Sequence, residues 1–138
     1  MKTVVATGVF DILHPGHVLF LEEAKKLGDR LVVIVARDRN VEKRKRQPVI
    51  PERQRLEVVS ALKAVDEALL GDHEDFYKPI EEIKPDVIAL GQNQHFDVKE
   101  LECELRKRGL KAKIVRIDRF FEGELAGSRK IVEKIKNS

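Results

Sequence analysis

Two histidines separated by two residues, His14-Pro15-Gly16-His17, are the part of this chain best equipped for chemistry. They close the run Gly8-Val9-Phe10-Asp11-Ile12-Leu13, which leaves a short apolar stretch and feeds an amphipathic one. A neutral imidazole donates one hydrogen bond, and a nearby phosphate raises its pKa and makes that bond charge-assisted. Gly16 permits close backbone approach, and the free N–H groups of a helix start favour an anion. This combination predicts a cradle for phosphate oxygens. The rival is a metal site, but zinc needs a third strong ligand in a defined geometry, and only Asp11 is near in sequence. No protein-built metal site is expected.

The elements that must position these residues follow from two alternating periodicities. Val4 to Thr7 is a short β-branched strand signal ended by Gly8, and Leu31 to Ala36 is a continuous apolar run of the kind buried on both faces of a parallel sheet. Between them Val18, Leu19, Leu21, Ala24 and Leu27 recur at helical spacing up to Gly28. The stretch from Arg37 to Gln47 reads as a polar, basic loop, and Pro51 opens a helix carrying Leu56, Val58, Val59, Ala61 and Leu62. Further strands are predicted over 65–70, 86–90 and 112–117, with helices over 76–83, 97–108 and 128–136.

Strand alternating with helix in this way predicts an α/β fold: a single Rossmann-like domain over residues 1–138, with a five-stranded parallel sheet flanked by helices. In such a sheet ligands bind beyond the carboxyl ends of the strands, where the strand order switches. The segments following each strand are therefore the ones to inspect.

Composition excludes several classes. No apolar run approaches the ~20 residues that span a bilayer, and the start of the chain has no signal-peptide layout, so a cytoplasmic protein without a membrane partner is expected. A single cysteine, Cys103, rules out an intrachain disulfide, and its neighbours Glu102 and Glu104 disfavour a thiolate. Net charge is +3, with Arg37, Arg39, Lys43, Arg44, Lys45 and Arg46 gathered after the second strand. With so modest an excess, few aromatics and no nucleic-acid motif, a nucleic-acid partner is not expected. The basic run suits a cationic cover for a triphosphate, and for each of its residues a solvated surface charge is the competing reading. Lys45, Arg53, Arg55, Arg116 and Arg119 are further candidates for an acceptor phosphate.

The run GVFDILHPGH resembles the signature of the cytidylyltransferase-like nucleotidyltransferases, whose fold is of the HUP type. Within that family the chain is most similar to the short archaeal FAD synthases. The likeness rests on the VARD stretch (Val35 to Asp38), the VIPERQR-like helix entry and the Leu90-Gly91-Gln92-Asn93-Gln94 loop. The resemblance implies that His14 and His17 bind the phosphates and stabilise the transition state. It assigns Gly8, Val9, Phe10 and Asp11 to the nucleotide and acceptor pocket, Gly91, Gln92 and Asn93 to the nucleotide loop, and Gly127 and Ser128 to a late hydroxyl motif. Here that motif departs from the family pattern, which carries more hydroxyls than Ala126-Gly127-Ser128-Arg129-Lys130. Lys63 likewise stands where an arginine is usual, without the bidentate fork.

The implied reaction is transfer of AMP from ATP to FMN, giving FAD and pyrophosphate. A CTP-dependent transfer to glycerol 3-phosphate, or a similar phosphorylated acceptor, is the alternative. Magnesium or another divalent cation is expected with the triphosphate, held mainly by phosphates and water, with Asp11 near enough to reach it. The resemblance also implies a homodimer packed through surfaces near the first helix and the segment after the second strand. Replacing either histidine by alanine is expected to lower kcat at least tenfold, about 1.4 kcal/mol, with little loss of stability.

Overall fold

The computed structural model describes residues 1–42, 48–91, 97–117 and 127–138. In chain order the elements are β1 (Thr3–Gly8), α1 (Pro15–Lys25), β2 (Arg30–Val35), α2 (Asp38–Glu42), α3 (Glu52–Ser60), β3 (Glu67–Leu70), α4 (Lys78–Ile83), β4 (Val87–Leu90), α5 (Val98–Lys107), β5 (Lys113–Arg116) and α6 (Ser128–Lys136). The five strands form one parallel sheet in the order β3-β2-β1-β4-β5. The chain builds outward from β1 through β2 to β3, then crosses to the other side of β1 for β4 and β5. The switch therefore falls between β1 and β4.

Alternate strand residues feed two cores. Val4, Ala6, Leu31, Val33 and Val35 face α1 and α3, whose Leu21, Ala24 and Val59 close that side. Val5, Val32, Ile34, Ile88 and Leu90 face α4 and α5, where Ile80, Leu101 and Leu105 are buried. A fully buried side chain of this kind contributes roughly 1.5–3 kcal/mol, so β1 and β2, buried throughout their middles, anchor the fold. With all strands parallel, every post-strand segment emerges at one edge of the sheet.

The strand and helix expectations hold to within two residues at their ends, and two departures have an identifiable cause. β3 starts at Glu67 instead of residue 65, because Val65 is spent on the turn after α3, where its N–H donates to Leu62 O. Inside the stretch read as a loop, Asp38–Glu42 forms the short helix α2. Its start is fixed from outside: Asp38 N–H donates to Glu52 Oε1 (3.0 Å), and Glu52 N–H returns a bond to Asp38 Oδ2 (3.2 Å). No local signal reveals a cap supplied from α3.

Candidate active site

The loop from β1 to α1 is short and strained. Phe10 (φ 52°) and Ile12 (φ 41°) both lie in the left-handed region that non-glycine residues avoid. Gly8 makes room for this turn: a Cβ there would stand 2.8 Å from two atoms of the Phe10 ring. The Phe10 ring is buried and leans on His17, with centroids 5.5 Å apart at 60°.

His14 is the N-cap of α1, followed by Pro15 in the first turn. Gly16 N–H donates to His14 Nδ1 (3.0 Å), and His14 N–H donates to His17 Nδ1 (3.3 Å), a reciprocal capping box made of two imidazoles. His17 N–H and Val18 N–H both reach His14 O. The sequence reading of free N–H groups at this helix start is therefore corrected. The imidazoles and the carbonyl of His14 already occupy them, and Pro15 has none. An anion at this turn would meet the rings rather than these N–H groups.

The rings are prepared for that. Because both Nδ1 atoms accept, the proton of each neutral ring sits on Nε2, and both Nε2–H groups are donors. Burial holds the His14 imidazole below the ordinary histidine value. Burial pushes His17 down to about 4; the nearby His14 adds to this and Asp11 opposes it. The free protein thus presents two neutral donors whose ring centroids lie 3.9 Å apart. An approaching phosphate would accept both Nε2–H groups with the rings still neutral, because a second proton would have to sit on the Nδ1 atoms that accept the backbone N–H groups.

The other candidates are distributed as follows. Gly91 and Arg116, at the ends of β4 and β5, are brought together, with Arg116 Nη1 donating to Gly91 O (3.0 Å). Gly127 is the N-cap of α6 in an extended conformation, and Ser128 is the first residue of that helix. Lys45, Gln92, Asn93 and Arg119 lie outside the described residues. Val9 and Asp11 sit at the histidine loop, but both are engaged inward. Val9 O accepts from Arg55 Nη1 (2.7 Å), and the buried Asp11 carboxylate accepts the N–H groups of Val49 and Ile50 (2.9 Å each).

Arg55 is a correction. Its side chain is fully buried, donating to Ile50 O, Val9 O, Ala36 O and the Asp38 carboxylate, so it is not presented to an acceptor phosphate. A signal for this exists in the sequence. Arg55 stands four residues before Val59 and seven before Leu62, on the helix face that packs inward. Arg53, by contrast, is exposed.

Sequence reading also missed how the two quoted stretches hold each other. Arg37 donates to Gly71 O (2.8 Å) and Glu52 Oε2 (2.9 Å), and Asn40 Nδ2 donates to Asp72 O (3.0 Å). The segments after β2 and β3 and the start of α3 are thereby locked into one rim. Among the described residues no group of three or more His, Cys, Asp or Glu side chains is gathered as a metal cage. No described helix is long and apolar enough to cross a membrane.

Comparison with known proteins agrees with this architecture. Residues 5–134 match the family model described as cytidylyltransferase-like. The chain is 67% identical to a FAD synthase of Ferroglobus placidus over 98% of its own length and 88% of that protein. It is 63% identical to a FAD synthase of Archaeoglobus profundus, covering 98% of this chain and 86% of that one. Among solved structures it resembles a lipopolysaccharide core biosynthesis protein of Thermoplasma volcanium, with TM-score 0.85 and 50% identity over 88% of this chain and 99% of that one.

Proposed function

The chain belongs to the cytidylyltransferase-like family, and from that premise we propose that it transfers AMP from ATP to FMN, giving FAD and pyrophosphate. The observation that carries the reading is the pair of Nε2–H donors, fixed by backbone bonds to both Nδ1 atoms, at the carboxyl end of the central strand.

In this reaction an oxygen of the FMN phosphate attacks the α-phosphorus of ATP, a P–O bond forms, and the bond to the β-phosphate oxygen breaks. No protein nucleophile takes part. The enzyme contributes position and stabilisation of charge on the phosphoryl oxygens. His14 and His17 hold α- and β-phosphate oxygens from below, and Phe10 backs His17 so that its ring does not swing away. Gly91, with Gln92 and Asn93, would border the base, and Arg116 holds the Gly91 carbonyl at the end of β4. Gly127 and Ser128 stand at the start of α6, and Lys45 and Arg119 complete the proposed cationic surround.

A divalent cation, magnesium first, would arrive on the triphosphate and neutralise its oxygens; the described residues build no cage of their own for it. The protein is proposed to act in the cytoplasm as one domain and as a homodimer. An open, mostly apolar groove of about 520 Å³ along α1, where Leu13, Pro15, Val18, Leu19 and Leu62 lie beside His14 and Glu22, is the surface proposed for the dimer. Sedimentation tests it.

The decisive assay is pyrophosphate release with ATP or CTP against FMN, glycerol 3-phosphate and phosphopantetheine. Release with ATP and FMN alone is expected. Release with CTP and glycerol 3-phosphate, and none with ATP and FMN, would replace the proposal with a cytidylyltransferase.

A further inference from the structure

The histidine loop adopts a conformation that its own residues resist. Phe10 and Ile12 are both left-handed, neither is glycine, and Ile12 is β-branched. Such a loop persists only where its surroundings impose it.

Two buried charged side chains supply that constraint. Asp11 lies between the left-handed residues, and its carboxylate takes Val49 N–H on Oδ2 and Ile50 N–H on Oδ1, each at 2.9 Å. Arg55 reaches the same junction from α3. Its Nη1 donates to Val9 O (2.7 Å) and Ala36 O (2.9 Å), its Nε to Ile50 O (2.9 Å), and its Nη2 to the Asp38 carboxylate. The loop is thus tied at Val9 and again at Asp11, to the segment after β2 and to the entry of α3. Only 6% of Asp11 and 1% of Arg55 is exposed, so both act inward.

We infer that Asp11 and Arg55 are positioning residues that act through the histidine loop. They hold residues 9–12 in the turn that sets Phe10 against His17 and delivers His14 to the N-cap of α1. This rests on the nucleotidyl-transfer reading for its kinetic consequences and on geometry for its structural ones. The competing roles are direct ones, with Asp11 touching the divalent cation or a substrate and Arg55 touching the acceptor phosphate.

The test uses the full chain with magnesium, ATP and FMN. Asp11→Asn keeps the side-chain shape but turns one acceptor into an amide donor facing a backbone N–H. Its kcat is expected to fall at least tenfold while KM for ATP changes less than threefold. Adding Ile12→Gly, which accepts a left-handed φ without strain, is expected to restore kcat at least threefold. A direct contact from Asp11 cannot be replaced by a glycine next door, so absence of recovery overturns the inference. Arg55→Lys, which keeps the charge and loses the fork, is expected to lower kcat with KM for FMN unchanged. A selective rise in that KM at constant kcat also overturns it.

A second readout needs no turnover. Imidazole ¹⁵N shifts of His14 and His17 in the free wild-type protein should show protonated Nε2 and accepting Nδ1, and Arg55→Lys should average that signature. An unaltered signature in Arg55→Lys refutes the positioning role. Wild-type protein inactive with ATP and FMN would instead defeat the proposed reaction and leave the imidazole test standing.

Discussion

His14 and His17 lie with ring centroids 3.9 Å apart and planes tilted by 36°, and the Nδ1 of each accepts a backbone N–H of the turn they share. The atoms that begin α1 are thus the atoms that prepare the site. The expectation that alanine at either position costs little stability is revised accordingly for His14, whose side chain is the cap.

Cap and site can be separated by substitution. His14→Ala should cost about 1 kcal/mol of stability, the usual cost of losing an N-cap side chain. His14→Asn restores a capping oxygen and should recover most of that loss. Both variants should turn over at least tenfold more slowly than wild type. Urea melts beside steady-state rates check this, and full activity in His14→Asn would remove the imidazole from the reaction.

Acid should weaken the fold through His17. In the unfolded chain its pKa is the ordinary 6.5, whereas burial in the folded protein pushes it down to about 4. The unfolded state therefore binds the proton first, and stability present above pH 6.5 is lost progressively as pH falls toward 4. The full loss from this group is at most roughly 3 kcal/mol. His17→Gln, which keeps a side-chain acceptor at the same capping position, should flatten that slope. A wild-type and variant pair with parallel stability curves between pH 7 and 4 would contradict the assignment.

Gly8→Ala should crowd the site from below. The added methyl would stand 2.8 Å from the buried Phe10 ring, which in turn rests on His17. Overpacking of this kind costs about 1–3 kcal/mol, and displacement of His17 should lower kcat with it. Adding Phe10→Leu should return much of the stability but not the rate, because the support under His17 is gone. Thermal melts and turnover on the single and double variants measure both.

Glu52→Gln probes the rim. The carboxylate receives Arg37 Nη1 and Asp38 N–H, and losing the charge from such bonds costs about 1–3 kcal/mol. The rate should fall less than for either histidine, since no reacting atom is touched. A larger loss of kcat than in His17→Gln would mean that the rim does more than hold its loops.

The fold was legible because its signals are local and repeated. Val4 to Thr7 and Leu31 to Ala36 read as buried strands, and they are the centre of the sheet. The His14-Pro15-Gly16-His17 motif was legible as a helix start bearing two close imidazoles, and the phosphate cradle proposed for it rests on residue chemistry. What escaped was everything settled by distant partners. The α2 helix depends on Glu52, fourteen residues from Asp38. Arg55 looked like a surface cation because its acceptors are backbone carbonyls contributed by Val9, Ala36 and Ile50. Backbone acceptors carry no sequence signature, and the spacing of Arg55 to Val59 and Leu62 on the inward face of α3 was the one signal of its burial.

Cys103 is the chain's single cysteine, exposed on α5. Leu101 and Leu105 bury the opposite side of that helix, so a maleimide dye or nitroxide at this sulfur would extend into solvent. The native protein therefore carries one ready attachment point for a spectroscopic reporter, on the helix that follows the β4 loop, with no thiol to engineer in or out.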